Sequence, residues 1–335
     1  MDRMDYAQAV ATMRVYEKRL LDQIKIERMV EADSAEDVMK ILQETEYGRS
    51  IASGARPEDF EDILSTELTT VYADINNKIR DKSLIALLSL RYDYQNLKSL
   101  LKAEALGEEV EFSLTDMGTI PSQELKSEFD SGSLKDAGGH FQNAAEKARD
   151  EFSKSRDPQQ MDFIVDKAYF THINEIIAGM DNDLPMFKDY VKYQIDSYNL
   201  LALMRTRKQE KDPRFIQDVV VPGGGIEVRE IMESTSDAPE QIASRFLGRK
   251  VGPALKRGVD EYLATGRLGE LERQLENGLM ELVRPARTVV FGPEPLFGYV
   301  VAKERENKLL RIIMVSKLNN ISPDRIRERL RDIYV

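Results

Sequence analysis

The sequence contains no cysteine, two histidines, and no apolar run close to the length of a membrane-spanning helix. Without cysteine there are no disulfides, no thiolate zinc sites and no thiol catalysis, a composition compatible with a reducing compartment. His140 and His172 lie 32 residues apart and outside any HxxxH or HExxH spacing, so solvated or capping roles are expected of them. No Gly-x-Ser-x-Gly accompanies them, which leaves no nucleophile triad. An excess of basic charge is also missing. The formal charge is −11, which repels phosphate backbones and argues against nucleic-acid binding. The longest apolar runs, Leu84 to Leu90 and Ile312 to Val315, fall far short of the roughly 20 residues that span a bilayer. The first residues, MDRMDYAQAVATMRVYEKRLL, have no apolar signal core. Contact with a membrane is therefore expected through another protein or through the surface, without insertion.

What the sequence does contain is helical periodicity, with almost no strand alternation. Val10, Met13, Leu20, Leu21, Ile24 and Ile26 recur near helical spacing in the N-terminal stretch. Ser34 is placed to cap a short helix, with Glu36 and Asp37 in its first turn and Gly48 to stop it. Pro57 opens a stretch of two helices that ends near Gly107. An acidic connector follows, with Glu104, Glu108, Glu109, Glu111, Asp116, Glu124, Glu128 and Asp130 against Lys126 alone. Residues 131–139 are small and polar, a loop. "VVVPGGGIEV" interrupts the later helices with a short extended piece before its glycines. Near the end, Ser322 and Pro323 mark the cap and first position of a last helix.

One polar pattern recurs. "DYQN", "DSYN" and "EREN" place Asp93 before Asn96, Asp196 before Asn199 and Glu304 before Asn307, each three residues apart and so on one helical face. The asparagines are 103 and 108 residues apart. Large apolar residues follow each by five positions (Leu101, Met204, Ile312) and precede each by six (Leu90, Tyr193, Val301). Other landmarks keep a similar interval: Asp59-Phe60 and Asp162-Phe163, Pro121 and Pro222, Pro213 and Pro323. A period near 105 residues is too long for a solenoid and reads as a triplicated helical domain, with repeats at 1–115, 116–220 and 221–335. The N-terminal helices of the first repeat are expected to pack against the third. Three like units can close into a pseudo-threefold ring with a central depression and two unlike faces.

Other motifs favour structural readings. "PGGGIE" lacks the Gly-Lys-Ser/Thr of a phosphate loop, and Glu227 would repel phosphate, so a hinge or turn is expected. The acid–Asn pairs carry oxygen donors but no local ligand loop, so the acids are expected to tie each helix to a neighbour or a loop amide, and the asparagines to satisfy backbone groups. The last helix carries Arg325, Arg327, Arg329 and Arg331 against Asp324, Glu328 and Asp332, a solvated face or an electrostatic contact with acidic loops of a partner.

The C-terminal stretch "FGPEPLFGYVVAKERENKLLRIIMVSKLNNISPDRIRERLRDIYV" resembles the signature of the C subunit of A-type and bacterial V-type ATP synthases, relatives of the d subunit of vacuolar ATPases. The likeness is carried by Gly292, Glu294 and Pro295, then by Lys303, Glu304, Glu306, Arg311 and Ile312, then by Lys317, Ser322-Pro323 and Tyr334-Val335. Arg14 with Leu20-Leu21, and Leu42, Thr45 and Tyr47, resemble the family's N-terminal elements, and "MDFIVDKAYFTHI" its middle-domain helix. Lys308 departs from the pattern, standing where an apolar residue is usual. The resemblance implies an all-α fold of three similar helical domains in a pseudo-threefold funnel. It implies a non-catalytic rotor subunit, without cofactor, metal or catalytic residues, peripheral on the cytoplasmic face of the cell membrane. Its partners would be the membrane-embedded proteolipid ring and the central stalk subunits, between which it passes torque for ion-coupled ATP synthesis or hydrolysis. Two rival readings are a soluble all-helical scaffold or interaction protein, and an enzyme with a cleft between helical domains. No complete catalytic constellation supports the second.

Overall fold

The computed structural model describes residues 3–79, 83–107, 114–180, 184–210, 212 and 214–335. Among these the chain is all-α, with no strand. No described helix is long and apolar enough to cross a membrane. Glu108, Glu109, Glu111 and Pro213 lie outside the described residues.

The chain gathers into two compact units, one of residues 1–81 with 269–335 and one of residues 82–268. The first contains α1 (Ala7–Glu17), α2 (Gln23–Glu31), α3 (Ala35–Gln43) and α4 (Phe60–Lys78). The second contains α5 (Ser83–Leu106), α6 (Ser122–Asp130), α7 (Gly139–Ser155), α8 (Pro158–Gly179), α9 (Pro185–Lys208), α10 (Phe215–Val219), α11 (Val228–Glu233), α12 (Pro239–Arg245) and α13 (Gly252–Thr265). All but the first residue of α14 (Leu268–Val283), with α15 (Glu294–Leu318) and α16 (Pro323–Arg329), returns to the first unit.

In the first unit α15 is the centre. It packs on α1, α3, α4 and α16 and buries side chains on every face, including Leu309, Leu310, Ile313 and Met314. These meet Met29, Val38, Leu42 and Leu64 from the N-terminal helices in one hydrophobic cluster. In the second unit α5 packs on α7 and α8, and α9 on α8, α10 and α11. The apolar run from Leu84 to Leu90 belongs to α5, where Leu84, Leu87, Leu88 and Leu90 are buried. The breaks at 81/82 and 268/269 differ from the sequence-repeat boundaries for a physical reason. The apolar surface of α5 is buried against α7 and α8, which follow residue 115, and that of α15 against α1, α3 and α4, which precede it, so compact units form across the expected boundaries.

Local signals act mostly as the residue chemistry dictates. The Ser34 hydroxyl accepts the Asp37 N–H, and Asp22 and Asp157 do the same for α2 and α8. Gly107 takes φ +68° and ends α5. Several expectations are corrected. The N-terminal stretch is broken between α1 and α2, and Ile24 is 79% exposed. The helix after Ser34 stops at Gln43, because Thr45 caps a separate 3₁₀ turn that contains Gly48. Ser322 makes no side-chain cap bond, although Pro323 does open α16, and α16 ends at Arg329. Part of the acidic connector, including Glu124 and Glu128, is helical in α6.

Candidate functional site

The recurring acid–Asn pairs sit on the three longest helices, and two of them do the same mechanical job. Asn199 of α9 uses both ends of its amide on one residue: Nδ2 donates to the Val221 carbonyl and Oδ1 accepts the Val221 N–H, each at 2.8 Å. Asn96 of α5 holds Thr115 in the same way, at 2.8 and 3.0 Å. One turn earlier, Asp196 accepts the Ile226 N–H at 2.9 Å. Asp93 accepts the Thr119 N–H and hydroxyl at 2.8 and 2.7 Å and the Ile120 N–H at 3.1 Å. A helical Asp/Asn pair thus clasps an irregular segment at two points, giving partners to backbone groups that have no ladder of their own.

The clasped segments must come very close. A Cβ on Gly224 would sit 2.2 Å from Asp196 Oδ1, and one on Gly118 would sit 1.9 Å from Asp93 Oδ1. The glycines of "PGGGIE" therefore let backbone reach a carboxylate, and the segment is a turn tied down on α9. Thr115 and Val221 are 106 residues apart, as are Ile120 and Ile226. Pro121 is consequently the counterpart of Glu227, each the N-cap residue of its next helix, α6 or α11, and the sequence match of Pro121 with Pro222 is corrected by these bonds.

In α15 the bonding falls elsewhere. Glu304 takes the Tyr72 hydroxyl. Asn307 donates to the Leu64 carbonyl at 2.9 Å and faces the Tyr47 hydroxyl at 2.8 Å. The carboxylate that accepts a backbone N–H is Glu306, from Leu21. Leu21 precedes Asp22, the N-cap of α2, as Ile120 precedes Pro121 and Ile226 precedes Glu227. By hydrogen bonding, Glu306 does in α15 what Asp93 and Asp196 do in α5 and α9. Burial agrees with a register of 110 residues from α9. Leu200, Leu203 and Met204 are buried, and so are Leu310, Ile313 and Met314, whereas the 108-residue register lands on Lys308, exposed Arg311 and half-buried Ile312.

The α15 clasp is the most polar. Lys303, 2% exposed, lies 2.8 Å from Glu306 and 3.2 Å from Glu67, with its ammonium 4.0 Å from the Tyr47 ring centroid. Burial raises the Tyr47 hydroxyl well above its ordinary pKa, with Glu306 adding to the effect, so it remains a donor. Asp196 is pushed up to about 6 by burial, against the pull of the Ile226 and Gly225 amides and of Arg249. Burial also raises Asp93, opposed by its bonds to Thr119 and Ile120.

The N- and C-terminal residues that carried the family likeness meet in the first unit. Tyr47, Lys303 and Glu306 form the clasp. Arg14 donates to the Ala286 and Val289 carbonyls, and Glu294 accepts from Arg3 at 2.8 Å. The unexpected Lys308 has a partner in Glu276 at 2.5 Å. Glu276 also takes Arg331, while Arg327 bonds Glu27, Glu31 and Asp324, so these two arginines of the C-terminal segment act inside the unit. The two histidines do come together, with rings stacked at 4.1 Å and 16° and His140 Nε2 3.0 Å from Glu175. Face-to-face stacking keeps their nitrogens from converging on one ion. Among the described residues no group of three His, Asp or Glu is placed to hold a metal.

The described structure is thus a helical chain whose long helices α5 and α9 clasp irregular segments through buried Asp and Asn side chains. The chain belongs to the ATP synthase (C/AC39) subunit family, whose model matches residues 9–329. Similar relatives are the C subunit of the V-type sodium ATPase of Enterococcus hirae, 24% identical over 99% of both chains, and the C subunit of the A-type ATP synthase of Methanocaldococcus jannaschii, 23% identical over 98% of this chain and 87% of that one. The C subunit of the A-type ATP synthase of Haloferax volcanii is 22% identical over 96% of both.

Proposed function

We propose that this chain is the non-catalytic rotor adaptor of an A/V-type ATP synthase. In this reading it joins the central stalk to the membrane-embedded proteolipid ring on the cytoplasmic face of the cell membrane. It transmits torque for ion-coupled ATP synthesis or hydrolysis. The observation that carries the reading is the match to this family of C subunits along nearly the whole chain. The clasps supply a mechanical reason. Torque passes efficiently only through a body whose elements do not slide, and close-packed helices pinned by buried side-chain-to-backbone bonds resist sliding. We further propose that the chain is a threefold repeat in the 96/199/309 register, with the long helices around a pseudo-threefold axis and a central depression that receives the stalk tip.

Native mass spectrometry tests the adaptor role, using the chain with detergent-solubilised ring and separately purified central stalk. The expected result is a ternary complex with one copy of this chain, and no ring–stalk complex without it. Binding to neither component would replace the adaptor with a soluble helical scaffold.

A further inference from the structure

Helices α7 and α8 form a hairpin with two unlike sides. Toward α5, α8 presents its carboxylates: Asp162 meets Lys102 at 2.9 Å and Asp166 meets Lys98 at 2.5 Å. Phe141 and Ala148 of α7 are buried. On another face the two helices border a groove of about 500 Å³. Its α7 wall is His140, Asn143, Ala144 and Lys147, spaced i, i+3, i+4, i+7. Its α8 wall has Lys167, Ala168 and Thr171 on a matching stripe, with Glu175 one turn further.

The chemistry of this groove runs against that of the whole chain. In a protein of net charge −11, its described lining carries Lys147 and Lys167 against one carboxylate, Glu175. That carboxylate is engaged by His140 at 3.0 Å. Neither lysine has a carboxylate partner among the described residues: Asp166, next to Lys167, pairs with Lys98 of α5, and Asp150, one turn from Lys147, pairs with Lys154. The floor between the charges is small and apolar, through Ala144, Ala168 and Ile164. Small residues between two helices leave a seat for a third helix, and lysines flanking it select carboxylates.

We propose that the α7–α8 groove docks an acidic amphipathic helix from another subunit of the same ATPase. The occupant sets apolar side chains at i and i+4 on the alanine floor and brings Asp or Glu to Lys147 and Lys167. This inference rests on family membership and is independent of where on the rotor the chain sits.

Zero-length carbodiimide cross-linking of the assembled ATPase tests it, since the reagent joins an amine only to a carboxylate already in contact. The expected product is an isopeptide from Lys147 or Lys167 to an Asp or Glu in a helical segment of a different subunit. The K147E/K167E chain should lose that product and bind the remaining subunits about tenfold more weakly at low salt. Circular dichroism checks its fold, and K147Q/K167Q takes its place if reversal unfolds it. No inter-subunit product at either lysine would overturn the proposal, as would a product only with a second copy of this chain. Protection of both lysines from amine labelling by phosphatidylglycerol vesicles alone, without the cross-link, would point to lipid and also overturn it.

Discussion

The Glu306 carboxylate accepts the backbone N–H of Leu21, a bond between residues 285 positions apart in sequence. It ties the last long helix to the segment that starts α2, and its second oxygen serves Lys303 and Tyr47. Glu306→Ala leaves the Leu21 N–H without this acceptor and leaves buried Lys303 with Glu67 alone. Breaking one partner of a buried charged network costs about 3–5 kcal/mol. Denaturant titration should show a loss of that order, with Glu306→Gln losing less because an amide still offers one acceptor to Leu21.

Asn199→Leu tests the α9 clasp by itself. Leucine keeps the volume and removes both bonds to Val221, which is 1% exposed. Each buried backbone group left unpaired costs about 1–3 kcal/mol. Hydrogen exchange at the Val221 amide should accelerate, while exchange at Thr115, held by Asn96, should stay unchanged.

Gly224→Ala should destabilise, because its Cβ would land 2.2 Å from Asp196 Oδ1 and 3.2 Å from Ile195. Overpacking of this kind costs about 1–3 kcal/mol. Gly248→Ala is the control, with nothing within 4 Å of the added carbon. It should move stability by less than about 0.5 kcal/mol. Thermal melts of the two variants distinguish a close-approach role from a general dislike of losing glycine.

Asp196 gives a pH signature of defined sign. Its pKa is about 6 in the folded chain, against an ordinary value near 4 when unfolded. Between these values the folded state holds more protons, so stability falls as pH rises from about 4 to 6 and is flat with respect to this group above that. The drop is roughly 3 kcal/mol. Asp196→Asn should abolish this part of the slope when denaturation midpoints are compared across that window.

Much of this organisation is legible in the sequence, and the exceptions have physical causes. Asp93, Asn96, Asp196 and Asn199 stand out because each clasp needs an acceptor and an amide one turn apart on a single face. The α15 clasp is harder to read. Glu304, Glu306 and Asn307 crowd one turn, and Asp-x-x-Asn spacing selects Glu304, whereas the backbone bond belongs to Glu306. The 110-residue interval between Pro213 and Pro323 matches the register we propose for α15. In that proposed register Leu309, buried at 1%, stands in the asparagine's place, which polar-pattern reading cannot see. The histidine stack was hidden for a different reason, since it depends on how α7 lies against α8.

The composition of the first unit also sets an order of events during synthesis. Helices α1 to α4 leave the ribosome first, but the helix at the centre of their core, α15, is among the last to be made. Residues 82–268 can bury their own apolar surface while the N-terminal helices still lack the cover that Leu309, Leu310, Ile313 and Met314 give their core. A ribosome that stalls before α15 releases a chain with a finished second unit and an exposed, sticky first one. Such a product is open to chaperones and proteases, so only chains that reach α15 are ready to enter the assembly.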